Sequence, residues 1–176
     1  MRDERIEAIL GFDRVRKIIS DRCSTEYATT RTSEEEFSTN AKEIRRRLQL
    51  TDEMRLIVMF EESFPSNGYI DCVGFLEMLT NEGANIDLVS LGKLRTMLET
   101  LRKISIFFSN IKDGVYPYLK KMVSGIVLFP DVQHRIDTIL DKFGNVKDTA
   151  SDELYDIRRK LKDKEGAISK RIGVIL

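Results

Sequence analysis

Apolar residues recur along most of this chain at steps of three and four, the spacing that lines them up on one face of an α-helix. Ile6, Ile9 and Leu10 lead into Phe12, Val15, Ile18 and Ile19. Gly11-Phe12-Asp13 predicts a break into two helices there, with Asp13 or a neighbour capping the second. From Cys23 to Asn40 the pattern lapses. Ser24, Thr25, Thr29, Thr30, Thr32 and Ser33 precede an acidic patch, which predicts a loop or a short helix with weak order. Ser38-Thr39-Asn40 then offers caps for a helix carrying Ile44, Leu48, Leu56 and Val58, which ends where Pro65-Ser66-Asn67-Gly68 turns the chain.

A further helical stretch, from about Val73 to Leu79, stops at Asn81-Glu82-Gly83. The clearest helix follows. Asp87 is placed to cap it, and Leu88, Leu91, Leu94, Leu98, Leu101, Ile104 and Phe108 hold the helical spacing for about six turns. Such a leucine stripe predicts a core or a helix–helix seam. Asp113-Gly114 marks a turn, and Tyr116-Pro117 opens a short helix. Ser124 to Phe129 contains β-branched Ile126 and Val127, and its periodicity fits either a strand or a buried helix end. Val132, Ile136, Ile139, Leu140 and Phe143 predict another helix, stopped by Gly144-Asn145.

The last pattern runs from about Ser151 to Leu176. Thr149 and Ser151 are candidate caps, and Asp152 and Glu153 suit the positive end of the helix dipole. Leu154, Leu161, Ile168 and Ile175 recur every seven residues, with Ile157 between the first two; the matching later positions are Lys164 and Arg171. This predicts a half-apolar helix-packing seam that grows wetter toward the C-terminus. A helix of about 26 residues is roughly 39 Å long, longer than a domain of this size is wide, so it is expected to protrude. It runs to the last residue without a capping glycine, the pattern of a chain cut rather than finished. The expected fold is therefore all-α, with a helical core over residues 1–150 and a long projecting helix over 151–176.

Composition narrows the function. The chain has 176 residues, 41% apolar and 33% charged, with 29 Lys plus Arg against 29 Asp plus Glu. Zero net charge excludes blanket attraction to nucleic acid and leaves only a local patch. The C-terminal segment supplies one: from Tyr155 onward, Arg158, Arg159, Lys160, Lys162, Lys164, Lys170 and Arg171 face only Asp156, Asp163 and Glu165. A basic face on a projecting helix can follow a phosphate backbone. The longest apolar run, Gly125 to Phe129, is far short of the roughly 20 residues of a membrane span. The N-terminus has no apolar core of the signal-peptide kind, and the isolated Cys23 and Cys72 fit a reducing cytoplasm.

Enzyme chemistry finds few carriers. His134 is the one histidine, read as a surface or boundary residue on its helix rather than a base. No Gly-x-Ser-x-Gly elbow, Gly-x4-Gly-Lys-Ser/Thr or Gly-x-Gly-x-x-Gly loop is present. Glu34-Glu35-Glu36 and Glu61-Glu62 are consecutive, so a helix spreads them around its circumference instead of converging them. No catalytic residue, metal ligand or small-molecule site is expected.

Several segments carry a resemblance. Leu10-Gly11-Phe12-Asp13-Arg14-Val15-Arg16 with Arg22-Cys23-Ser24-Thr25 resembles the N-terminus of the second bacterial MutS family, the branch bearing an Smr domain. Asn81-Glu82-Gly83-Ala84, Ile106-Phe107-Phe108 and Tyr116-Pro117-Tyr118-Leu119 follow in that family's order. The most specific piece runs Phe143-Gly144-Asn145-Val146-Lys147-Asp148-Thr149-Ala150-Ser151-Asp152-Glu153-Leu154-Tyr155-Asp156-Ile157-Arg158-Arg159. It is similar to the Gly-x-Val-x-Asp-x-Ala-Ser-x-Glu-Leu-x-x-Ile-Arg entry into the family's lever helix. The chain departs from the family between Glu26 and Ser33, where threonines replace a short glycine-containing link.

The resemblance implies a non-catalytic helical core and lever that joins a DNA clamp to a dimeric ATPase. It implies ATP and Mg for the full-length parent, in domains outside this chain, together with a homodimer. Phe75-Leu76-Glu77 and Phe60-Glu61-Glu62 match a Phe-x-Glu mismatch wedge only by chance. It also implies DNA or the ribosome as partner, through mismatch repair, suppression of recombination or rescue of collided ribosomes. Read from residues alone, the alternative is a self-contained interaction module that binds a partner helix through the Leu154/Leu161/Ile168/Ile175 stripe.

Overall fold

The computed structural model describes residues 4–175, with side chains from 5 to 172. The fold is all-α: α1 (Glu4–Leu10), α2 (Phe12–Ser20), α3 (Glu26–Glu34), α4 (Ala41–Phe60), α5 (Val73–Met78), α6 (Leu88–Asn110), α7 (Pro117–Val123), α8 (Pro130–Ile139) and α9 (Asp152–Ile175). Among the described residues the only β feature is one antiparallel bridge, Leu140 to Val146. Two compact units are present, Met1–Asn85 with Thr96–Leu128, and Ile86–Arg95 with Phe129–Leu176.

In the first unit, Gly11 makes the break between α1 and α2 by taking φ 70°, a left-handed backbone open to glycine. No side chain caps α2, and Asp13 sits inside its first turn. Ordered helix α3 occupies the threonine-rich segment. Thr25 caps it by accepting from the Ala28 N–H, and Thr29 and Thr32 return their hydroxyls to carbonyls one turn back. These three helices are tied by charge. Arg16 donates to both carboxylate oxygens of buried Glu7, at 3.0 and 2.7 Å, and to the main-chain oxygens of Thr32 and Glu35. A planar guanidinium suits this job because its several donors serve separate acceptors at once.

Asn40 caps α4 through the N–H groups of Lys42 and Glu43. The core of the unit gathers Ile57 of α4, Ile104, Phe107 and Phe108 of α6, and Tyr116 and Leu119 at the start of α7. Phe64 meets Phe107 edge-on at 5.2 Å between ring centres. The buried line of α4 runs through Glu53 and Ile57, while Ile44, Leu48 and Val58 are exposed, so that part of the predicted stripe lies outside the core. On α6 the buried residues are Thr100, Ile104, Phe107 and Phe108, in its C-terminal half, whereas Leu88 is exposed. Thr100 donates to the Gly68 carbonyl and closes the Pro65–Gly68 turn onto the helix. Residues 124–129 form neither strand nor helix end: a turn at Ser124-Gly125 leads into irregular chain.

In the second unit α8 stops at Ile139, before the expected Gly144. Asp141 explains the early stop. Its carboxylate accepts from the Phe143 and Asn145 N–H groups while its own N–H donates to the Asn145 carbonyl. The chain thus folds into a tight turn with Gly144 at φ 84°, leaving Phe143 exposed. Ile136 and Leu140 are buried. Arg95 pairs with Asp137 at 2.6 Å and donates to the Asp141 carbonyl. A short 3-10 turn, Asp148–Ala150, leads into α9, whose first turn is capped by Ser151 accepting from the Leu154 N–H.

Candidate functional site

Helix α9 carries every residue singled out for function. Its 24 residues make a rod of about 36 Å. Leu154 is half-buried. Beyond that point the seam is bare: Ile157 is 63% exposed, Leu161 56% and Ile168 58%. Ile172, which the heptad reading passed over, is 53% exposed. It extends the same stripe because it lies eleven residues after Leu161, close to three whole turns of a straight helix. The side chain of Ile175 lies outside the described residues.

Arg158 has a structural task. It donates to the Val146 carbonyl at 3.0 Å and pairs with Asp148, anchoring the first turns of α9 to the loop before it. Arg159, Lys160, Lys162, Lys164, Lys170 and Arg171 are exposed.

Helical phase divides these six. At about 100° per residue, the apolar stripe of Leu154, Ile157, Leu161, Ile168 and Ile172 occupies an arc of about 60°. Lys160, Lys164 and Arg171 form a row along one edge of that stripe, within about 40° of arc. Arg159, Lys162 and Lys170 fall on the far side of the helix, within about 80°. The basic residues therefore make two rows, and only one of them borders the apolar face.

Other candidate chemistry is sparse. His134 lies exposed on α8. Phe60 is exposed at the end of α4 and Phe75 is half-buried within α5, so the two Phe-x-Glu matches sit on or beside different helices. Glycines with left-handed φ stand singly at separate turns, at positions 11, 68, 83, 114 and 144. Among the described residues no group of three or more His, Cys, Asp or Glu is placed to hold a metal. These residues do not fit the ATP and Mg implied for the parent. No helix among the described residues is long and apolar enough to cross a membrane.

Fold and surface together define a class: an all-helical scaffold bearing a long helix with a bare apolar seam and two basic rows. Sequence comparison gives that class a kinship. Endonuclease MutS2 of Alkaliphilus oremlandii is 23% identical over 175 residues, covering 99% of this chain and 22% of that protein. Endonuclease MutS2 of Listeria innocua is 24% identical over 172 residues, covering 97% and 22%. The Clostridium perfringens protein of the same name is 24% identical over 177 residues, covering 99% and 22%. The chain thus resembles the Smr-bearing MutS branch over nearly its whole length, while spanning about 22% of the length of these relatives. No protein-family model matches it.

Proposed function

We propose that this chain is the helical core and lever portion of a MutS-type ATPase, equivalent to the N-terminal region of such a protein. It is not itself an enzyme, and it works in the cytoplasm as part of a homodimeric whole. The observation that carries this reading is the match to three MutS2 proteins over 97–99% of this chain. Its work is mechanical: motion arising elsewhere in the protein passes along rigid helices to a clamp on DNA or on ribosomal RNA. Helix α9 suits a lever because its backbone hydrogen bonds are internal, which keeps it stiff where few side chains support it. Arg159, Lys162 and Lys170 on its far side, with Arg158 at its root, meet phosphates rather than bases.

Two measurements test the proposal. Binding of a branched DNA or a structured RNA is expected to fall steeply with salt and to be lost when Arg158, Arg159 and Lys162 are changed to Glu; salt-insensitive binding would sink it. Reading the gene downstream of the Leu176 codon is expected to show a returning long helix and then Gly-x4-Gly-Lys-Ser/Thr. A stop codon there would instead favour a self-contained module that binds a partner helix through the α9 seam. The observation on that second side is the exposure of Ile157, Leu161 and Ile168. Its signature is salt-tolerant association abolished by Leu161→Asp.

A further inference from the structure

Helix α2 turns a charge inward and its isoleucines outward. Arg16, on the side facing α1 and α3, is buried in its pair with Glu7, itself 1% exposed. Val15, Ile18 and Ile19 are exposed, and helical phase gathers them within about 100° of arc. Such a face, on a helix whose inner side is closed by an ion pair, is a contact surface. Arg16 bounds one of its flanks. The other flank is open and carries Arg14 and Asp21, seven residues apart in the chain and both within about 60° of Ile18. Both are exposed, and neither has an ion-pair partner among the described residues. Each also opposes the dipole of its own helix: Arg14 sits in the first turn, near the positive end, and Asp21 is the C-cap, at the negative end. Neither charge therefore serves α2 itself.

Opposite charges set evenly about the middle of an apolar face make that face complementary to itself. A two-fold axis level with Lys17 and Ile18 lays a second α2 antiparallel to the first and sets Arg14 of each copy opposite Asp21 of the other. A polyanion or an anionic membrane would meet Asp21 as a like charge. A partner edged by acids alone, or by bases alone, would pair one of the two residues and repel the other. We infer that α2 is a self-association face, on which a second copy of this chain packs antiparallel through Val15, Ile18 and Ile19 with reciprocal Arg14–Asp21 pairs. The inference goes beyond the lever reading, which assigns the homodimer no surface in this chain.

The test is sedimentation velocity of the whole chain from about 1 to about 200 μM, a range chosen because so small a contact makes a weak dimer. A concentration-dependent shift from monomer to dimer is expected. Ile18→Asp should abolish it with unchanged far-ultraviolet circular dichroism, since the side chain it replaces is exposed. R14D and D21R each put like charges across both reciprocal contacts and should weaken the dimer about tenfold, whereas the double reversal R14D/D21R should restore it. Each single reversal suits the dipole of α2, so Tm should hold and a lost dimer would not reflect a lost fold. Leu161→Asp on α9 should leave the dimer intact. A monomer throughout the range overturns the inference and leaves the lever reading standing. A dimer that Leu161→Asp abolishes and Ile18→Asp does not overturns the assignment to α2. One that Ile18→Asp abolishes but the single reversals leave unchanged overturns the antiparallel pairing.

Discussion

Glu53 satisfies two main-chain donors that have no partner within their own helix. Its carboxylate accepts from the Tyr118 and Leu119 N–H groups at 3.1 and 2.7 Å, at the orphan first turn of α7. A buried acid, 6% exposed, is tolerable there because both oxygens are hydrogen-bonded and the helix dipole is favourable. Glu53→Ala would leave both N–H groups unsatisfied beside the aromatic core. A loss of about 2–3 kcal/mol is expected, read as a lower midpoint in urea with unchanged slope. An equal midpoint would mean that water replaces the carboxylate. Local caps were legible in the sequence: Asn40, Asp87 and Ser151 each stand two or three residues from the N–H groups they serve. Glu53 was not, because its partners lie 65 and 66 residues away and nothing in its own neighbourhood distinguishes it from a solvated acid. Nor was the tie made by Arg16, whose acceptors on Glu7, Thr32 and Glu35 lie on other segments.

At the scale of elements, pH dependence follows from helix starts and turns. Asp87 is held below the usual carboxylate range, chiefly by the Ser90 hydroxyl and also by the Ser90 and Val89 N–H groups. Asp141 is lowered mainly by the Asn145 N–H, and Asp113 by the Lys120 ammonium. A folded-state value below the unfolded one means stability that is present above about pH 4 and lost as pH falls through the lowered value. Tm is therefore expected to hold level through neutrality and to drop on the acid side. Asp87→Asn, which keeps an acceptor for the cap but does not titrate, should flatten part of that drop. An unaltered acid limb would remove Asp87 from the account. Elements were the best-read level of this chain, since most helices announced themselves by period and cap. The misreadings came where a local stop competed with a periodic pattern. Leu140 and Phe143 continue the spacing of α8, yet Asp141 folds the chain back by hydrogen bonds that a hydrophobicity pattern does not register.

For the whole molecule, α9 stands apart in how little it leans on. From residue 159 to residue 172 every side chain is exposed. Deleting residues 162–176 should therefore reduce helical ellipticity in proportion to the residues lost and leave Tm of the remainder unchanged. A fall of more than a few degrees would show that this segment supports the fold. The exposure is also what makes α9 a candidate site, since a seam already filled would have no work left to do.

Sequence by itself determined the helical class, most of the caps and breaks, the kinship with MutS2 and the apolar repeat of the last helix. Each of these depends on residues close together in the chain, or on their order along it. Only the tertiary structure decided which apolar positions are core. Leu88 and Ile104 belong to the same predicted stripe of α6, but Ile104 joins the core with Ile57 and Leu119 while Leu88 is exposed. It also decided that Arg158 anchors a loop, that Glu53 and Arg16 are internal ties, and that helical phase parts the remaining cations of α9 into two rows. Burial and pairing are properties of what the chain brings together across distance, and periodicity records only which face of a helix a residue occupies, not what lies opposite that face.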